Sequence, residues 1–216
     1  MIDKLKINTK IYNKKNILTV FLSIILISCS YGCSNLDIQT LNNNAAQLMA
    51  SGDIDGAIAR LESIQDLNPN FPQTNYNLGI AYKEKGDLDK SLHYLERAVE
   101  LKPNFTQAQL SLAIVYEELS EKLLQNEIDK LEKEKPDSVK SEDDIKLTDE
   151  QKAKLINYYK KSIENYEVYL SGSTVPENKE TINTKIKELK NNIEKFSSDN
   201  TETSVSSGTT NNETTE

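Results

Sequence analysis

The sequence predicts an all-α fold: an α-solenoid of about three helical hairpins, the third one extended, closed by a C-terminal capping helix. Three observations carry this. Gly and Pro number only 7 and 5 in 216 residues, while Lys, Glu, Asn, Leu and Ile dominate, a composition that favours long exposed helices. The chain repeats itself at a spacing of 34 residues. Within each repeat, apolar side chains recur at helical intervals.

Two repeats stand out when the chain is laid on itself. Gln39-Thr40 falls on Gln73-Thr74, Asn43 on Asn77, Gly52-Asp53 on Gly86-Asp87 and Asp55 on Asp89. Leu61-Glu62 falls on Leu95-Glu96, Leu67 on Leu101, and Pro69-Asn70-Phe71 on Pro103-Asn104-Phe105. A third copy opens at Thr106, where Gln107, Leu112, Ile114, Tyr116 and Glu118 echo Gln73, Leu78, Ile80, Tyr82 and Glu84. Each copy is expected to be a pair of helices. In the second, Gly86 takes positive φ and ends the first helix. Asp87 then accepts from the free N–H groups opening the next. Leu88, Leu92, Leu95, Ala98, Val99 and Leu101 form its buried stripe, and Pro103 stops it. Small residues at Ala45, Gly79 and Ala113 permit close helix packing.

The period and these residues resemble the tetratricopeptide repeat (TPR). The second copy carries the pattern best, in Asn77-Leu78-Gly79, Ala81-Tyr82, Gly86-Asp87, Leu95, Ala98 and Pro103; Asn75 stands where Trp is common and Ser91 where Ala is usual. The resemblance implies repeats at 38–71 and 72–105. It also implies an interrupted third repeat at 106–170. There, Ser120-Glu121 replaces the Gly-Asp turn, and the stripe Tyr116, Leu119, Leu123, Leu124, Ile128, Leu131 runs on to about Glu134. After a break over 135–147, which holds Pro136 and the acidic run Glu142-Asp143-Asp144, Thr148 and Gln151 have the form of a capping box. The following helix carries Leu155, Tyr159, Ile163, Tyr166 and Leu170. A capping helix is expected within 174–196, with Ile182, Ile186, Leu189, Ile193 and Phe196 on one narrow stripe. A coiled-coil partner helix is the sharper use of that stripe. Residues 197–216 are Ser, Thr, Asn and Glu apart from Asp199, Gly208 and the apolar Val205, and are expected to stay disordered.

The N-terminus reads as an address. Residues 1–28 hold five lysines and one acid, so the remainder is more acidic than the net charge of −8 suggests. Residues 17–28 are a short apolar run, less than the ~20 residues a membrane-spanning helix needs, and a basic stretch precedes them. The run ends in Leu26-Ile27-Ser28-Cys29, which resembles the lipobox of bacterial lipoproteins. The resemblance implies a signal peptide at 1–28, cleavage before Cys29, diacylation of its thiol and a tether over 29–37. Cys33 is the second candidate, although Ser30 stands where Leu is expected. It further implies a lipid-anchored place in the bacterial cell envelope, on the periplasmic face of the outer membrane in a Gram-negative cell, where Ser30 suits outer-membrane sorting.

The function classes narrow accordingly. An acidic body without a basic stripe disfavours nucleic acid. His93 is the one histidine, is expected on the surface, and has no nucleophile motif to serve. No zinc spacing, phosphate loop or calcium loop is present, so no cofactor or metal is expected. Catalysis is not expected. The TPR resemblance implies that the first helix of each repeat lines a concave groove. Its walls would present Asn42, Asn43, Ala46 and Met49; then Gln73, Tyr76, Asn77, Ile80 and Lys83; then Gln107, Leu110, Ser111, Ile114 and Glu117. Asn43 and Asn77 match a position where Asn bonds a peptide backbone. The implied partner is a segment of an envelope protein, with the membrane reached through the lipid. The alternative is a structural subunit that self-associates through the long hairpin of 120–170 and the C-terminal helix.

Overall fold

A computed structural model describes residues 37–134, 145–173 and 178–198. The expected signal peptide, Cys29, Cys33, the tether up to residue 36, the acidic turn at 142–144 and the tail from residue 199 lie outside the described residues. Seven α-helices and no strand occur among the described residues: α1 (37–50), α2 (Ile54–Leu67), α3 (Pro72–Glu84), α4 (Leu88–Leu101), α5 (Thr106–Glu134), α6 (Asp149–Gly172) and α7 (Lys179–Ser198).

The first two hairpins are built from the same local chemistry. Helices α1 and α3 end in Gly52 and Gly86 at φ +85° and +84°. There Asp53 N–H donates to Leu48 O, and Asp87 N–H to Tyr82 O, at 2.9 and 3.0 Å. This is the Schellman closure, which only a left-handed residue permits without cost. The Asp that follows caps the next helix. Its carboxylate accepts from Gly56 N–H in α2 and from Lys90 N–H in α4. Pro72 opens α3 at a position where the missing N–H is not needed.

Packing runs between neighbours along the chain: α2 on α3, α3 on α4, α4 on α5, α5 on α6, α6 on α7. Gly79 shows how tight it is. A Cβ built there would lie 2.5 Å from Leu95 Cγ, and Leu95 is wholly buried. One tie recurs at the repeat interval. Tyr82 donates its hydroxyl to Glu62 and Tyr116 to Glu96, each at 2.6 Å. Another closes the turns, Asn75 and Gln109 donating to the carbonyls of Pro69 and Pro103.

The third hairpin is long. Ser120 is buried and its hydroxyl donates back to Glu117 O at 2.6 Å, so the helix continues where the earlier repeats turn. Helix α5 reaches 29 residues and α6 reaches 24. Roughly 20 Å of paired helix therefore projects past the α1–α2 and α3–α4 turns. The capping box forms as its sequence dictates, with Gln151 N–H to Thr148 Oγ1 at 3.2 Å and Thr148 N–H to Gln151 Oε1 at 2.8 Å. Ile145 and Leu147, inside the expected break, are buried in the same cluster as Leu155, Tyr159 and α7.

Helix α7 lays Ile182, Ile186, Leu189, Ile193 and Phe196 on that cluster, beside α6. Its other faces are Lys, Glu, Asn and Thr, and exposed. The outward face of α1 is also polar, from Gln39 and Thr40 to Asn43, Asn44 and Gln47. Both ends of the row are thereby closed to further stacking.

Candidate functional site, the concave wall

Helices α1, α3 and α5 are the first helices of successive hairpins, so they run in the same direction and form one wall. The expected groove residues divide into three groups. Asn43, Gln73 and Gln107 are exposed. Tyr76, Ile80, Lys83, Leu110 and Ile114 are half-buried, and each except Lys83 packs partly on its neighbours. Tyr76 lies against Phe105, ring centres 5.0 Å apart. Leu110 and Ile114 lean on the cluster that α7 completes. Lys83 faces Glu118 at 3.7 Å.

Asn77 does not stand free in the groove, as the repeat pattern implied; it is turned into the seam between α1 and α3. Gln73 Nε2 donates to Asn77 Oδ1 at 3.0 Å, and Asn77 Nδ2 to Asn42 Oδ1 at 3.0 Å. Asn42 Nδ2 in turn donates to Thr74 Oγ1 and to Ile38 O, each at 2.9 Å. Asn42 is itself buried, so it too is a structural amide. The cause is position in the row. Asn77 has α1 before it to bond, whereas Asn43, at the same repeat position in α1, has no helix before it among the described residues. Ser111 is likewise buried, and Met49 packs in the first core cluster.

What remains open is a hollow of about 450 Å³ where α1, the start of α3 and the α4–α5 turn meet. Gln39, Asn43, Phe71, Pro72, Gln73, Lys102 and Phe105 line it. Phe71, Pro72 and Phe105 make an apolar floor. Three amide side chains rim it, and Lys102 stands over the Phe105 ring, 4.8 Å from its centre. Sequence reasoning found Asn43 and Gln73 but missed the rest, although the paired Asn-Phe of each turn was visible in the repeat.

Farther along, Glu117 sits between α5, α6 and α7. Its carboxylate faces Lys185 at 3.5 Å, and one of its oxygens is buried without a hydrogen bond. Burial and this carboxylate push the Tyr166 phenol up. Burial with Glu62 does the same for Tyr82, and burial with Glu96 for Tyr116. These phenols are therefore neutral donors, shaped for holding helices together rather than for proton transfer. His93 is exposed, its ring edge on Tyr94 at 5.2 Å. Among the described residues, no three His, Cys, Asp or Glu side chains gather to hold a metal. Among them too, no helix is long and apolar enough to cross a membrane.

Hairpins stacked in a row define the class: a TPR-type α-solenoid. Residues 48–114 match the tetratricopeptide repeat family model. No curated protein matches it by sequence. Among solved structures, a monomeric mutant of IFIT1 with m7Gppp-AAAA is similar at TM-score 0.52 and 13% identity, over 72% of this chain and 30% of that one. The Sgt2 TPR domain from Aspergillus fumigatus is similar at 0.47 and 15%, over 75% of this chain and 82% of that one. The first TPR of Spaghetti (RPAP3), bound to HSP90 peptide SRMEEVD, is similar at 0.45 and 14%, over 75% and 91%. At 13% identity the likeness to the first of these is one of fold alone.

Proposed function

We propose that the chain is a membrane-anchored, non-catalytic adaptor of the bacterial cell envelope, which holds a segment of another envelope protein against its concave wall. Lipid on Cys29 would supply the anchor, since two acyl chains hold a protein stably where one does not. In a Gram-negative cell its place would be the periplasmic face of the outer membrane. The observation that carries the binding part is the amide-rimmed hollow. An apolar floor takes a side chain, and Gln39, Asn43 and Gln73 offer donors and acceptors to a peptide backbone. Curved solenoids present such extended surfaces as a rule. Self-association is less well supported. The apolar residues of the long hairpin, Leu123, Leu124, Ile128, Leu155 and Ile156, pack within it, and the stripe of α7 is spent on the same cluster.

Gln39 and Asn43 are exposed and take no part in the amide chain, so their replacement leaves the core intact. Gln39→Arg with Asn43→Arg is expected to lower partner capture roughly tenfold, about 1.4 kcal/mol, with helicity and melting unchanged. A photo-crosslinker at Gln73 should attach to a peptide of one envelope protein, and one at Glu100, outside the hollow, should not. Equal yields at both positions would remove the groove from the proposal. Labelled palmitate that enters the wild type but not Cys29→Ala checks the anchor, and labelling retained in Cys29→Ala would refute Cys29 as the lipid site.

A further inference from the structure

We propose that the face formed by α2, α4 and α6 carries a second docking site, the hollow between α4 and α6, which takes a segment of another protein bearing an aromatic side chain beside an arginine or lysine. The site lies away from the concave wall and does not depend on the lipid anchor.

The repeat itself supplies the comparison. Two seams separate the second helices of successive hairpins, α2 from α4 and α4 from α6. Shifting Glu62, Asp66, Pro69, Leu78 and Tyr82 by 34 residues gives Glu96, Glu100, Pro103, Leu112 and Tyr116. Helix α6 follows α4 at an offset of 71. That offset sets wholly buried Ser91 on wholly buried Ser162, and buried Leu88 and Leu95 on buried Tyr159 and Tyr166. The two seams are thus built on one plan.

The first seam is filled. The Tyr94 ring stacks on Tyr82 with centres 5.6 Å apart and planes 7° from parallel. Burial, with Glu62 and Asp66 beside it, pushes the Tyr94 phenol up. One turn on, Arg97 donates to Asn70 Oδ1 in the α2–α3 turn at 2.7 Å. Gln65 donates to Asn75 at 3.2 Å.

The second seam has lost each of these fillings. Asn165 stands in place of Tyr94, Val168 in place of Arg97 and Val99 in place of Gln65. Asn165 turns back on its own helix, donating to Lys161 O at 2.8 Å. What is left is a hollow of about 450 Å³, lined by Val99, Leu112 and Tyr116 and by Val168, which is 39% exposed. Tyr158 lies against Tyr116 at 6.1 Å but is not among the residues around the hollow.

Charge changes in the same sense. Val168 in place of Arg97 removes a cation, and Glu164 in place of His93 adds a carboxylate. Lys90 stands over the Tyr82 ring, 4.7 Å from its centre, whereas its counterpart Lys161 pairs with Glu164 at 3.3 Å. Glu96 and Glu100 keep the places of Glu62 and Asp66, and Arg97 pairs with Glu100 at 3.0 Å. Set against the first seam, the hollow is short of one ring and one cation. Aromatic and arginine side chains are also the usual anchors of protein interfaces, and added negative charge favours a basic partner.

A random dodecapeptide library displayed on phage is selected on the full-length protein. The products are tested on Val168→Arg and on Asn165→Tyr, each of which restores one filling of the first seam. Val168 is exposed and the hollow is open beside Asn165, so both variants are expected to melt at or above the wild type; Val168→Arg alone carries the test if Asn165→Tyr does not fold. Enriched peptides are expected to hold an aromatic residue with Arg or Lys within about four positions, one helical turn. The leading peptide, made synthetically, should bind each variant roughly tenfold or more less tightly than the wild type. It should bind Gln39→Arg with Asn43→Arg as tightly as the wild type. No enrichment, peptides that are acidic or purely aliphatic, or binding that survives in the variants would overturn the proposal. Binding lost only in Gln39→Arg with Asn43→Arg would overturn it and leave the concave wall standing. A wild-type dimer in sedimentation that Val168→Arg breaks would give the hollow to a second copy of this chain and overturn it too. The two sites have different occupants, so a crosslinker at Glu100 should capture none of the peptide that Gln73 captures.

Discussion

Gly79→Ala tests the close packing of α3 on α4 through a reversal of sign. In an exposed helix the change stabilises by about 1 kcal/mol, since alanine restricts the unfolded chain and favours the helix. Here the new methyl would meet Leu95 Cγ at 2.5 Å, Cδ2 at 2.8 Å and the backbone N at 3.3 Å. Ordinary carbon contacts lie near 3.5–4.0 Å, and wholly buried Leu95 has nowhere to retreat. Overpacking of that kind costs about 1–3 kcal/mol. The net effect in the wild type is a loss of up to about 2 kcal/mol. Leu95→Ala alone removes buried methyl groups and costs about 2–5 kcal/mol. In that background the methyl of Gly79→Ala enters vacated space, and the same substitution becomes stabilising by about 1 kcal/mol. Urea unfolding of the four proteins, followed by circular dichroism, reads the cycle as midpoints. The two sites are in contact, so a coupling of about 1–3 kcal/mol is expected. Stabilisation by Gly79→Ala in both backgrounds would refute the packing.

Three further outcomes are expected. Tyr82, Tyr116 and Tyr166 are held above the ordinary phenol value by burial and by Glu62, Glu96 and Glu117. Their folded state favours the proton, so this contribution is whole below about pH 10 and is lost as pH climbs past the unfolded phenol value; absorbance at alkaline pH should show these three, with Tyr94, which burial also raises, ionising late and together with loss of helix, and ionisation of every tyrosine before any helix is lost would contradict it. Thr148→Ala removes the capping box and should cost about 1 kcal/mol, seen as faster hydrogen exchange at the start of α6 and little change in α3. Glu96→Ala removes the acceptor of Tyr116 and should cost about 1 kcal/mol, and Glu62→Ala should cost about the same, because both repeats use the bond; unequal effects in thermal melts would argue against equivalent hairpins.

Much of the fold was legible because the decisive residues act locally. Gly86 at positive φ, the Asp87 cap and the Thr148–Gln151 box each answer to a few neighbours in sequence. The repeat spacing then multiplies what one hairpin reveals. The site was legible only in part, because exposure depends on what stands beside a residue. Asn43 and Asn77 occupy one repeat position, yet the first is exposed and the second is buried in an amide chain. Identity of residue could not tell them apart; the presence of a preceding helix does. Ile145 and Leu147 escaped notice for a related reason. They follow an acidic run and precede a cap, which reads locally as a loop, and only the distant stripe of α7 gives them a surface to join.

The amide chain from Gln73 through Asn77 and Asn42 to Thr74 has a mechanical consequence. Force applied at the start of α1 enters that helix first, and α1 is held in part by the two bonds that cross its seam with α3, Asn42 to Thr74 and Asn77 to Asn42. Both meet at Asn42, in the first half of α1, so a pull along α1 loads them together rather than one at a time. The leading helix is thus bolted at the end where tension would arrive, and rupture there precedes any strain on the hairpins behind it.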